Sequence, residues 1–274
     1  MKKITGFKPG ERQEETTSES QTMTKIVVPV SGGKDSQVCL KLAISLVEAE
    51  AVIGLFCDTK FEHPATYAHI AWMENFYGVE IITVTNGCVP EEVLKAGYFP
   101  SGKVRFCTDR LKIRPSSKFY QEFAEMNGGF EVWCGMRSDE SRDREERYKF
   151  KTEDTLYPPH EILSSYPKRL EKLGVSFRLP VLDWATQEIY DYLGDEMNPL
   201  YEVGFDRVGC FPCLAAGDRT KRKAFEFDET RRRHWELVQD LERQVGESVY
   251  RGAGRGLYKG EKERDFQGCA ICAI

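Results

Sequence analysis

Histidine is scarce in this chain. There are four in 274 residues (His63, His69, His160 and His234), with no H-x3-H or H-E-x-x-H spacing. That removes the usual histidine-based zinc hydrolase motifs. No apolar run approaches the ~20 residues needed to cross a bilayer, so no membrane partner is expected. There is no basic excess: 39 Lys and Arg face 44 Asp and Glu, for a net charge of −5. A free-standing nucleic-acid binder is usually basic, so this balance leaves only nucleic acid presented by a partner. The chain does not open on a charged, apolar and small-residue signal pattern, and a cytoplasmic protein is expected. Nine cysteines in that compartment point to metal or redox chemistry rather than to a disulfide framework.

What is present is concentrated in residues 26–36, IVVPVSGGKDS. A β-branched apolar run ends in two glycines, and Lys-Asp-Ser then opens a helical pattern. Bare backbone N–H groups and a helix N-terminus meet there, which makes an anion site, most often for phosphate. Gly32 and Gly33 tolerate positive φ and put no Cβ in the way. Ser31 and Ser36 add hydroxyls, and Lys34 adds a cation. The run is not a Walker A loop: Val28 stands where its first glycine belongs, and Asp35 where Ser or Thr should follow the lysine. A dinucleotide fingerprint would need a third glycine near Ser36.

Strand and helix patterns alternate from Lys25 onward. Strands are expected at 25–30, 51–57, 79–84 and 130–135. Helices are expected at 35–49, 64–77, 90–96 and 109–127. Residues 145–178 show no clear period and read as an excursion. Within 178–193 a short strand precedes a helix with Thr186 as N-cap, and 218–246 reads as one long charged helix. Apolar strands between amphipathic helices indicate an α/β fold, a parallel-sheet sandwich with helices on both faces. Residues 1–24, polar and rich in Glu, Thr and Ser, read as a flexible arm. Residues 25–200 form the nucleotide-binding α/β domain, and 201–274 a helical, cysteine-bearing extension.

Ligands of such sheets bind beyond the carboxyl ends of the strands. Here those ends carry Ser31–Ser36, then Asp58 to Glu62, then Gly135, Met136 and Arg137. Asp58 can meet ribose, adenine or a metal, or cap a turn. Arg105, Lys112 and Arg114 supply cations for polyphosphate, or form a solvated helix face. Arg137 can grip a phosphate bidentately or pair with Asp139, Glu140 or Asp143. Glu140 and Arg144 are spaced to pair on a helix. Cys210 and Cys213, with Cys269 and Cys272, make two C-x2-C pairs. Four thiolates suffice for zinc or a [4Fe–4S] cluster, though spacing alone does not choose between them. Cys39, Cys57, Cys88 and Cys134 sit in or beside apolar runs and read as core residues.

The SGGKDS run resembles the SGGxDS loop of the ATP pyrophosphatase (PP-loop) superfamily. DTKFEHPATY (58–67), RFCTDRLKIRP (105–115), GMRSDESRDR (135–144) and NPLYEVGFDRVGCFPC (198–213) resemble its 3′-phosphoadenylylsulfate reductase branch. That branch includes the sulfur-activating components of DNA phosphorothioation systems of the Dnd and Ssp pathways. The resemblance spans residues 25–215 and implies an adenine nucleotide alpha-hydrolase-like fold. It also implies ATP and Mg²⁺ as ligands. They would be held by Ser31, Gly32, Gly33, Lys34, Asp35, Ser36, Asp58, Thr59, Phe61, Gly135 and Arg137, with Lys34, Asp35, Ser36 and Arg137 nearest the chemistry. It favours iron–sulfur over zinc and makes Cys107 an alternative ligand.

Sulfonucleotide reductases carry a C-terminal Glu-Cys-Gly-Leu/Ile-His segment, whereas this chain ends FQGCAICAI. The expected reaction is therefore ATP to AMP and pyrophosphate, activating an acceptor for sulfur transfer. By pathway analogy the acceptor is the DNA backbone and a cysteine desulfurase is the sulfur donor. A sulfonucleotide reductase and a nucleotide-binding assembly subunit are the alternatives, and an oligomer is compatible with either.

Overall fold

The structure, a computed structural model, describes residues 25–250. The expected N-terminal arm, Cys269 and Cys272 lie outside the described residues. In chain order the elements begin β1 Ile26–Val30, α1 Lys34–Leu46, β2 Val52–Asp58, α2 Pro64–Tyr77, β3 Glu80–Thr85 and α3 Val89–Ala96. A short α4 Phe106–Thr108 passes through a π turn, Asp109–Ile113, into α5 Arg114–Asn127. Then follow β4 Phe130–Trp133, α6 Arg142–Tyr148, α7 Pro159–Ile162, α8 Arg169–Lys172, β5 Val175–Arg178 and α9 Thr186–Leu193. The series closes with α10 Asp218–Phe225 and α11 Glu229–Val245.

The five strands form one parallel sheet in the order β3-β2-β1-β4-β5. The order reverses at β1, so the crevice between β1 and β4 is the place for a ligand. The ladder from β1 to β2 runs from Ile26 to Val30, but that from β1 to β4 covers only Ile26 and Val27. Pro29, which has no N–H to donate, lies past the end of the shorter ladder.

Burial follows the strand period. Val27, Leu55, Val132 and Phe177 pack on one face with Tyr120 and Tyr166. Ile26, Val28 and Val30 pack on the other with Val38, Leu40, Met73 and Ile189. Each such side chain contributes about 1.5–3 kcal/mol by leaving water. A third cluster joins Phe61, Val89 and Leu111 to Leu214, Phe225, Val238 and Leu241. It docks α10 and α11 against α3 and the loop after β2. No helix among the described residues is long and apolar enough to cross a membrane.

Three expectations need correction. First, residues 145–178 contain β5: Val175 and Phe177 point into the core, while Ser176 and Arg178 are only half-buried. Ser176 and Arg178 interrupt its apolar character, in a charged stretch. The segment after Arg178, expected to hold the strand, turns instead. Second, Ala185 rather than Thr186 is the N-cap of α9, and its N–H donates to Glu188 Oε2 at 2.7 Å. Thr186 is freed for the site described below. Third, the long charged helix is two. The chain breaks before Asp228, whose carboxylate caps α11 by accepting from the Arg231 N–H at 2.8 Å.

Candidate functional site

After β1 the chain turns through Ser31-Gly32-Gly33. Gly32 has φ +71°, and a Cβ there would lie 2.6 Å from Thr66 Cγ2, so only glycine fits. Ser36 Oγ donates to the Gly33 carbonyl at 2.9 Å and accepts from the Ser31 N–H at 3.2 Å. Those two bonds lock the loop onto the first turn of α1. Gly135 lets the end of β4 close on the same turn: a Cβ there would meet the Asp35 carbonyl at 2.7 Å. Gly135 is thus required for the fit of β4 against α1.

A cleft of about 720 Å³ opens above this junction. Ser31, Gly33, Lys34, Asp35, Ser36 and Arg137 line one wall. The opposite wall comes from residues 201–223, including Tyr201, Arg207, Arg219 and Lys223, with Arg105 beside it. Lys34 Nζ lies 3.3 Å from Asp35 Oδ2 and over the rings of Tyr190 and Tyr201, at 5.8 and 5.5 Å.

Arg137 is 2% exposed. Its Nε donates to Asp35 Oδ1 at 2.7 Å, and Nη1 to the Trp184 carbonyl at 3.0 Å and to Asp139 at 3.4 Å. Nη2 donates to Thr186 Oγ1 at 3.2 Å. Four of its five N–H groups thus have protein acceptors, and the expected pairing with Asp139 is among them. Hydrogen bonds from Thr186 hold the Asp139 carboxyl below its ordinary range. Burial pushes the Glu140 carboxyl up, opposed by the wholly buried Arg144 that pairs with it.

The remaining expected residues fall elsewhere. Asp58 Oδ1 accepts from the Lys60 N–H at 2.7 Å and from the Tyr67 hydroxyl at 2.8 Å. It lines neither this cleft nor the smaller cavity next to it, so the turn-capping reading is the one its geometry matches. Thr59 and Phe61 line that smaller cavity, together with Lys112, Cys107, Cys210 and Cys213. Arg105 and Cys213 line both. Arg114 is solvated and pairs with Asp109 at 2.8 Å. The basic motif therefore divides: Arg105 and Lys112 face the cavities, and Arg114 faces solvent. The π turn, an element frequent at functional sites, carries Lys112.

The C-x2-C segment is sewn to the loop after β2. Glu62 and Cys210 form an antiparallel bridge, and the Phe211 N–H donates to the Phe61 carbonyl at 2.9 Å. Cys210 Sγ lies 3.3 Å from Thr59 Oγ1 and 3.8 Å from Glu62 Oε1. Burial pushes its thiol up to about 12. Among the described residues no group of three or more His, Cys, Asp or Glu side chains is arranged to hold a metal ion. Three thiols around one cavity suit a soft metal, but the described donors do not complete a site.

Sequence reasoning missed Asn198, Tyr201, Tyr190 and Thr186. Wholly buried Asn198 donates to the Gly32 carbonyl at 3.1 Å, and the Tyr201 hydroxyl accepts from the Lys34 N–H at 3.0 Å. Two of these four lie in the NPLY run, whose order was noticed without a role for its members.

The phosphoadenosine phosphosulfate reductase domain matches residues 25–216. The chain belongs to that family. An uncharacterized protein of Methanocaldococcus jannaschii is 30% identical over 247 residues, 87% of this chain but 46% of its own length. The chain thus spans less than half of that relative. Adenosine 5′-phosphosulfate reductase of Streptomyces coelicolor is 24% identical over 189 residues, 66% of either chain. Among solved structures, a phosphoadenylyl-sulfate reductase from Candida auris is 18% identical with TM-score 0.45. It covers 70% of this chain and 83% of its own. The PP-loop assignment, within the phosphoadenylylsulfate reductase-like branch, and the α/β fold built on one parallel sheet hold.

Proposed function

We propose that the protein is an ATP pyrophosphatase that activates an acceptor for sulfur transfer. The observation that carries this is the locked Ser31–Ser36 loop at the head of α1, with Lys34 facing a polar cleft. An acceptor oxygen attacks the α-phosphorus, the bond to the bridging oxygen breaks, and pyrophosphate leaves with the electron pair. The loop N–H groups and Lys34 stabilise the charge that develops on the leaving group. Mg²⁺ would be held by Asp35, and would spread that charge. Arg137 acts by fixing Asp35.

The acceptor is the DNA backbone, in phosphorothioation of the Dnd and Ssp kind. Sulfur comes from a cysteine desulfurase, and DNA is presented by partner proteins because the chain carries no basic excess. Cys210 and Cys213, with Cys269 and Cys272, hold a [4Fe–4S] cluster, with zinc as the alternative metal and Cys107 as an alternative ligand. Bound there, it would tie the tail to the cleft wall and lend folding free energy. A sulfonucleotide reductase is the second reading, supported by the family and by the similarity to the Streptomyces coelicolor enzyme. The test is incubation with ATP and with 3′-phosphoadenylylsulfate, reading pyrophosphate and sulfite. Pyrophosphate and AMP from ATP are expected; sulfite production selects the second reading, and ADP with phosphate overturns the first.

A further inference from the structure

Tyr201 is 167 residues from Lys34 in the chain, yet its hydroxyl accepts the Lys34 N–H at 3.0 Å. Lys34 is the first residue of α1. The N–H groups of a first helical turn have no acceptor within the helix. They are the donors that a phosphate oxygen uses at such a loop. A phenol oxygen therefore stands where an anionic oxygen would be received. The fit is close: a Cβ on Gly33 would lie 3.3 Å from that hydroxyl and 3.1 Å from the Val208 carbonyl.

The placement is built, not incidental. Asn198 donates to the Gly32 carbonyl at 3.1 Å, and its Oδ1 accepts from the Leu200 N–H at 3.1 Å. The 198–201 segment is thereby fixed against the glycine turn on both sides of the Gly32–Gly33 peptide. The Tyr201 ring also carries the Lys34 ammonium on its face. One side chain thus engages both the backbone donor and the cation that a phosphate would use.

We infer that Tyr201 is the resident occupant of the glycine loop and sets how tightly the loop takes an oxyanion. An incoming group has to displace the phenol oxygen from the Lys34 N–H. Hydrogen bonds to a charged oxygen are stronger than those to a neutral hydroxyl. A pyrophosphate group, with more charge and a second oxygen for the Lys34 ammonium, displaces it more readily than sulfate does. The displacement itself costs every oxyanion the same, so that order of preference holds with or without the phenol. This rests on the reading of the loop as a phosphate site.

The test is calorimetric titration of the full chain with inorganic pyrophosphate and, separately, with sulfate. Tyr201→Phe keeps the ring but leaves the Lys34 N–H free. It should bind pyrophosphate about tenfold more tightly, the order of one released hydrogen bond, and sulfate should gain by a similar factor, because both make the same displacement. Equal or weaker pyrophosphate binding by Tyr201→Phe overturns the inference while leaving the phosphate reading intact. No pyrophosphate binding by wild type or variant overturns both. Should Tyr201→Phe not fold, nitration of Tyr201 in the wild type decides. Pyrophosphate should raise its reactivity, as read by peptide mass spectrometry; unchanged or lowered reactivity overturns the inference.

Discussion

Asp35 and Arg137 stand 102 residues apart in sequence and share an ion pair of 2.7 Å at the floor of the cleft. The arginine comes from the chain beyond β4 and the aspartate from the first turn of α1, so the pair spans the point where strand order reverses. Arg137 is buried and Asp35 half-buried, which makes the pair costly to break by removing the arginine. Arg137→Gln leaves Asp35 with only Lys34 as a charged partner. We expect a loss of about 3 kcal/mol in unfolding free energy, the lower end of the cost of breaking a buried pair. Urea unfolding measures it, and a change within about 0.5 kcal/mol, as on a surface, contradicts the geometry.

Loop chemistry gives a second expectation. Ser36→Ala removes both bonds that lock Ser31 and Gly33, and Lys34→Ala removes the cation at the cleft. Each should lower pyrophosphate release from ATP by at least about tenfold, the scale of one lost charge-assisted contact. Full activity in either variant would remove the loop from the reaction.

Asp228 joins two structures. It caps α11 and meets His63 Nε2 at 2.6 Å. Asp228→Ala should cost about 1–2 kcal/mol, as the loss of an N-cap does. Asp228→Asn, which caps as well, should keep most of that. If both variants melt alike, the cap is not what matters.

Stability should depend on pH through His69 and His234, both held down to about 4 by burial. Their ordinary value is about 6.5. Between those values the unfolded chain binds protons that the folded chain refuses, so the contribution is complete above pH ~6.5 and is lost as pH falls toward ~4. His69 Nε2 lies 2.9 Å from Gln37 Oε1, so His69→Gln should keep a polar partner and flatten the slope. Melting temperatures across this window check it, and identical slopes in variant and wild type would count against burial as the cause.

Anaerobically purified full-length protein should contain iron and sulfide, and Cys210→Ser should lose them. Elemental analysis of Cys272→Ser and Cys107→Ser assigns the remaining ligands. Loss in Cys107→Ser with retention in Cys272→Ser transfers the role to the thiol that already shares a cavity with Cys210 and Cys213. Zinc instead of iron keeps the site and discards the cluster.

The sheet and the glycine loop were legible because both are local. β1 and β2 are runs of buried residues, β3 is an apolar and β-branched run, and the loop is six consecutive residues. β5 was not legible, since Ser176 and Arg178 interrupt it within a charged stretch, and neither was the break before Asp228, where charge hides a capping residue inside a helical pattern. The site was half legible. Arg137 and its partner Asp139 were found, but its other partners, Asp35, Trp184 and Thr186, come from separate segments, and no spacing in sequence announces them. Tyr201 and Asn198 were missed for the same reason: their target, the loop at 32–34, lies more than 160 residues upstream.

The seam between the loop after β2 and residues 210–211 has a kinetic consequence. Arg231 Nη2 adds a second tie there, donating to the Glu62 carbonyl at 3.1 Å. A cleft whose far wall is fastened by a strand bridge and a buried guanidinium should not open by swinging that wall outward. Traffic through it depends on side-chain rotation, in picoseconds to nanoseconds, rather than on collective hinge motion in microseconds to milliseconds. Entry of a small anion should then run at the pace of diffusion, with no slow opening step to wait for.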